Sequence, residues 1–145
     1  MKIPKILTLC LCFVLLFTNT QCDEDDEVSS PCNQIVVIDN NLYDTAESDD
    51  FSLVSAEVND NCLFINVSAS GCDGNTWSMV LVDSGSIAES SPEQRFLKFI
   101  FSNDESCLAV FSQERSFDLT QLQINDSNEI VLNIDGFPEP LLYVY

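Results

Sequence analysis

Cys62-Leu63-Phe64-Ile65-Asn66-Val67-Ser68 places Leu63, Ile65 and Val67 at alternate positions. A period of two puts these side chains on one face of a strand and the polar residues on the other. The same pattern recurs along the chain. Thr76 to Asp83 carries Trp77, Met79 and Leu81; Arg95 to Ser102 carries Leu97, Phe99 and Phe101; Glu129 to Ile134 carries Ile130, Leu132 and Ile134. Ile35 to Asp39, Leu53 to Val58, Cys107 to Gln113 and Leu141 to Tyr145 are further short runs rich in β-branched and aromatic residues. Asn, Asp, Ser, Gly and Pro separate them, and Asn59-Asp60-Asn61 reads as a hairpin turn. No helix of useful length is expected; one helical turn is expected over 117–122, packing Phe117, Leu119 and Leu122 inward. Seven to eight strands at this spacing predict an all-β fold. An antiparallel β-sandwich, Ig-like or transthyretin-like, is the leading choice, with a small closed barrel as the alternative.

The chain has 145 residues, 24 Asp plus Glu, five Lys plus Arg and no His, for a formal net charge of −19. An apolar share of 46% is too high for a disordered acidic tail. The charge argues against a nucleic-acid or anionic-membrane binder, because both need a basic footprint. Without His there is no Ser-His-Asp triad, no Cys-His dyad and no His-based zinc site. Enzyme chemistry narrows to carboxylates.

Residues 1–21 differ from the rest. Lys2 and Lys5 precede an uncharged run from Ile6 to Phe17. Twelve residues span about 18 Å as a helix, short of the ~30 Å of a bilayer core. The segment therefore reads as a signal peptide. Thr20-Gln21-Cys22 is followed at once by Asp23-Glu24-Asp25-Asp26-Glu27. This junction resembles the exported lipoproteins of the Bacteroidota. The resemblance implies a lipid on Cys22 as the mature N-terminus, and a surface-export signal in Asp23, Glu24, Asp25, Asp26 and Glu27. Cleavage after Thr20, releasing a soluble secreted protein, is the alternative. The expected organisation is a signal peptide at 1–21, an acidic tether at 22–30 and the sandwich at 31–145. The expected location is the outer membrane, facing the exterior.

Cysteine parity separates the two cleavages. The seven Cys stand at 10, 12, 22, 32, 62, 72 and 107. Losing Cys10 and Cys12 with the signal leaves five; lipidating Cys22 leaves four, which can close two disulfides. Four Cys allow three pairings, and Cys72–Cys107 with Cys32–Cys62 is favoured. Four Cys without a CxxC or His make poor zinc spacing.

Met79-Val80-Leu81-Val82-Asp83-Ser84-Gly85-Ser86 is the sharpest enzyme-like signal. An apolar strand ending in Asp-Ser-Gly resembles the catalytic loop of aspartic proteases. The resemblance implies that Asp83 would share a proton with its counterpart in a second copy and activate water. The family's later apolar-apolar-Gly element is replaced by Ile134-Asp135-Gly136. Asp-Ser-Gly is also an ordinary turn. A glycosidase carboxylate pair is a second hydrolase option, with Trp77, Tyr43, Tyr143 and Tyr145 as sugar-stacking candidates, although Trp77 lies at core phase. Cys72-Asp73-Gly74-Asn75 and Asn59-Asp60-Asn61 could offer oxygens to calcium; no cofactor is otherwise expected. Asp44-Thr45-Ala46 resembles the O-glycosylation motif of Bacteroidota exported proteins and marks Thr45, in a loop expected to be exposed. The expected role is non-catalytic: a lipid-anchored module binding an unidentified protein or glycan, or an accessory subunit. A carboxylate hydrolase built on Asp83, and a structural coat lipoprotein, are the alternatives.

Overall fold

The computed structural model describes residues 32–145. The expected signal peptide, Cys22, the run Asp23 to Glu27 and the expected tether lie outside the described residues. The domain is an all-β sandwich. Its strands are β1 (Gln34–Ile35), β2 (Val37–Ile38), β3 (Ser52–Asn59), β4 (Cys62–Gly71), β5 (Ser78–Ala88), β6 (Glu93–Ser102), β7 (Ala109–Asp118), β8 (Glu129–Ile134) and β9 (Leu141–Val144). One sheet has the order β1-β7-β4-β3 and the other β2-β5-β6-β8-β9.

Leu63, Ile65 and Val67 of β4 are completely buried and face Met79, Leu81, Leu97, Phe99 and Phe101 of the opposite sheet. Edge-to-face aromatic contacts knit this core: Phe51 to Phe99 at 5.2 Å, Trp77 to Phe101 at 5.2 Å and Phe99 to Phe117 at 6.1 Å. Such pairs add about 0.5–1.5 kcal/mol each beyond the area they bury. The β3–β4 hairpin turns through Asp60 and Asn61, with Asp60 at φ +50°, a conformation Asp tolerates better than most residues.

Both sheets are mixed. β1 joins β7 in parallel, β2 joins β5 in parallel and β6 joins β8 in parallel; the other ladders are antiparallel. The expected first strand is divided between the two sheets. Gln34–Ile35 extends one sheet, Val36 turns inward to 1% exposure, and Val37–Ile38 extends the other.

Three boundaries differ from the sequence expectation. β5 runs on past Asp83 to Ala88, because the Asp-Ser-Gly stretch is a bulge inside the strand. β7 absorbs Phe117 and Asp118, so the helical turn contracts to a 3₁₀ turn at Thr120–Leu122. A six-residue helix α1 (Asn40–Thr45) forms where none was expected. Asp39 Oδ1 caps it by accepting the Leu42 N–H at 2.9 Å. Lys98 Nζ from β6 donates to the Tyr43 and Ala46 carbonyls at 2.8 and 3.0 Å. That cation satisfies the helix C-terminus from 55 residues away, a support no local pattern reveals. Among the described residues no helix is long and apolar enough to cross a membrane.

Candidate functional site

Asp83 sits opposite Leu97 in the β5–β6 ladder, on the core-facing side. It has no exposed surface. Its Oδ1 accepts the Gly85 N–H at 2.7 Å and Arg95 Nη1 at 3.1 Å. Arg95, itself 8% exposed, also donates from Nε to the Leu122 carbonyl at 2.8 Å. Gly85 adopts φ +74°, the left-handed region that favours glycine, and this lets the bulge return its N–H to the carboxylate. Burial raises the Asp83 pKa above the usual carboxylate value, while the Gly85 N–H and Arg95 pull it back. Asp83 Oδ2 is buried without a hydrogen-bond partner.

This is the geometry of an internal ion pair closing one end of the core beneath the 3₁₀ turn. A shared-proton dyad requires the two carboxyl groups to meet with water between them. Asp83 has no surface with which to meet a second copy. Ile134 is buried, Asp135 N–H donates to the Leu97 carbonyl at 2.8 Å, and Gly136 turns the chain out of β8 at φ +77°.

The second polar centre was not singled out from the sequence. Glu105, in the loop after β6, places its carboxylate inside the loop after β4. The N–H groups of Cys72, Asp73, Gly74 and Thr76 and the Thr76 hydroxyl all donate to it, the last at 2.9 Å. Partial desolvation works to raise its pKa, but the hydrogen bonds from Gly74, Thr76, Cys72 and Asp73 outweigh it and hold the group at about 2. Gly74, at φ +71°, gives the loop the curvature of an anion-binding nest. The Cys72–Cys107 disulfide, with Cα atoms 4.9 Å apart, clamps the two loops together. Glu105 was hidden among 24 acids; the Gly74 turn and the nearby Cys107 were its only sequence signals.

This loop, offered above as a calcium candidate, turns N–H donors inward, which suits an anion. Asp73 Oδ1 accepts the Asn75 N–H within the same turn. Among the described residues no three acidic or sulfur side chains converge as metal ligands.

The second disulfide joins Cys32 to Cys62 at a Cα distance of 5.7 Å, so both bridges follow the favoured pairing. Thr45 is exposed, but it ends α1 and does not lie in a loop; its hydroxyl donates to the Asn41 carbonyl at 2.7 Å. The sugar-stacking candidates disperse. Trp77 and Tyr143 are core residues, Tyr145 packs on Tyr143 at 4.9 Å between ring centres, and Tyr43 lies beneath Lys98. The surface depressions are shallow: about 480 Å³ beside Asn33, Ile35 and Val80, and about 330 Å³ beside Val54, Phe137 and Leu141.

No family model matches the chain, and no curated protein does. Two solved structures share its fold. One is a protein of unknown function from Bacteroides vulgatus, with a TM-score of 0.53 and 15% identity over 77% of this chain and 56% of that one. The other is a NigD-like immunity protein from Bacteroides caccae, with a TM-score of 0.55 and 12% identity over 77% of this chain and 64% of that one. This chain spans less than two thirds of either. At such identities the likeness is one of fold, a sandwich shared by proteins of different description.

Proposed function

We propose that this protein is an exported, lipid-anchored, surface-facing envelope protein whose β-sandwich binds a partner without catalysing a reaction. The observation that carries the reading is the sealing of Asp83. The residue with the sharpest enzyme-like sequence context is fully buried against Arg95. The anchor is supported by sulfur bookkeeping. Two disulfides use Cys32, Cys62, Cys72 and Cys107, and Cys10 and Cys12 leave with the signal, so Cys22 is the one mature cysteine left for a lipid. Disulfides also suit an oxidising, exported setting. One protein of the same fold is described as a NigD-like immunity protein.

Two experiments test the two halves. Cys22→Ala should abolish labelling by a palmitate analogue in a bacteroidal host; persistent labelling overturns the anchor. Purified wild-type protein and Asp83→Asn should be equally inert toward a peptide-substrate library. Cleavage by wild type that Asp83→Asn abolishes would replace the binding reading with the hydrolase.

A further inference from the structure

With β1 and β2 only two residues long, β3, β5, β7 and β9 border the open sides of the two sheets, and three of these are guarded. β9 has four residues; β3 is interrupted by a bulge between Leu53 and Ser55; β5 is bulged and partly covered by β2. Short length, bulges and cover are ordinary defences against unwanted strand pairing. β7 has none of them over most of its length. It pairs with β4 through ten consecutive positions without a register shift, and it contains neither Pro nor Lys. β1 covers its other side only at Phe117 and Asp118, leaving Ala109 to Ser116 without a strand neighbour among the described residues.

The direction of the open groups follows from the ladder. The Ser116 N–H meets Asn33 Oδ1 and the Glu114 carbonyl accepts Arg115 Nη1, both on the side away from β4. In an antiparallel ladder the N–H and C=O of one residue point the same way, with a period of two. Val110 and Ser112 therefore present their backbone groups outward as well. Val110 is 73% exposed and Leu108, just ahead of the strand, 91%. Ser70 and Ser68 lie opposite Val110 and Ser112, so this face is low and flat.

Charge selects the occupant. Residues 32–145 hold nineteen acids and three bases. Arg95 is spent on Asp83, Lys98 on the end of α1, and Arg115 on the Gln113 side chain and the Glu114 carbonyl. A second copy would bring a like-charged domain to the edge, with Glu114 at its centre. A basic segment would bring the complement.

We infer that the open edge of β7 is a docking site for an extended, lysine- or arginine-bearing segment of a partner protein. The segment adds as a strand along Val110, Ser112 and Glu114 and lays an apolar side chain beside Leu108 and Val110. Backbone pairing supplies the contact and side-chain pockets supply selection. The inference rests on the reading of the domain as a binding module.

The test uses the full mature chain and an eight-residue peptide of alternating Lys and Val. Controls are its Glu-Val counterpart and a Lys-Val peptide N-methylated at alternate residues. Binding by fluorescence anisotropy is expected for the first alone. The amides of Val110, Ser112 and Glu114 should gain protection from hydrogen exchange, and Val110→Lys or Leu108→Lys should weaken binding about tenfold. No binding, or binding without protection at those amides, overturns the inference. Protection that rises with protein concentration in the absence of peptide assigns the edge to a second copy and overturns it. Protection already present in the free monomer assigns it to the chain's own upstream segment, with the same consequence. A natural partner that binds while these amides exchange freely would retire the edge and keep the binding-module reading.

Discussion

Arg95 Nη1 lies 3.1 Å from Asp83 Oδ1 in a site where neither residue is more than 8% exposed. Taking both charges out of water is expensive, and their attraction offsets that cost only while both are present. Arg95→Met should therefore destabilise the domain by about 3–5 kcal/mol in denaturant unfolding, because it strands a buried carboxylate. The double variant Asp83→Leu with Arg95→Met should lose clearly less than Arg95→Met alone. Equal losses would mean that the pair is not coupled.

The same site sets a pH trend. The folded pKa of Asp83 is raised above its ordinary 3.8, so the folded state holds its proton more tightly than the unfolded chain. Its contribution to stability must then fall as pH rises from near 3.8 through the raised value. Arg95→Met removes one of the forces lowering that pKa and should steepen the fall. Thermal midpoints of wild type and Asp83→Asn across mildly acidic pH check this: the Asn variant should lack that component of the slope.

Glu105 has the opposite sign. Its folded pKa of about 2 lies below the ordinary 4.5, so its stabilisation is fully present above pH 4.5 and is lost as pH falls toward 2. Glu105→Gln should lower the thermal midpoint at neutral pH, since it removes the charge and leaves one acceptor oxygen for donors that two carboxylate oxygens now serve. The gap to wild type should close through that acidic window. A gap independent of pH would assign the loss to packing.

The Cys72–Cys107 bridge spans 35 residues. Replacing both by Ser should cost roughly 3–4 kcal/mol by chain-entropy arithmetic. It should also speed hydrogen exchange at the Cys72 to Thr76 amides, because the bridge holds Glu105 over them. Unchanged exchange would show that the carboxylate alone keeps the nest closed.

Lys98→Met leaves the Tyr43 and Ala46 carbonyls without their cation. Helix α1 is too short to persist on propensity. Its amides should lose protection, at a cost of about 1–2 kcal/mol in overall stability. Equal protection in wild type and variant would show that the Asp39 cap suffices.

The sequence by itself determined the fold class. Its period-two runs at Leu63-Ile65-Val67, Leu97-Phe99-Phe101 and Ile130-Leu132-Ile134 leave no helical face to bury, so two sheets must cover one another. The cysteine count allowed three pairings; the favoured one is fixed only where the assembled sheets bring Cys32 to Cys62 and Cys72 to Cys107. Tertiary structure alone decided what the charged groups do. Asp83 looks like a catalytic loop residue until the bulge at Gly85 and the register of β6 bring Arg95 over it. Glu105 is one acid among many until a loop some thirty residues away turns its amides inward. Helix α1 has no basic residue in its own last turn, and the cation on its terminal carbonyls comes from Lys98 of β6. The physical reason is common to all three. Hydrophobic alternation is written in neighbouring residues, whereas the partner of a charge is chosen by register and topology, which bring distant segments together only once the sheets have formed.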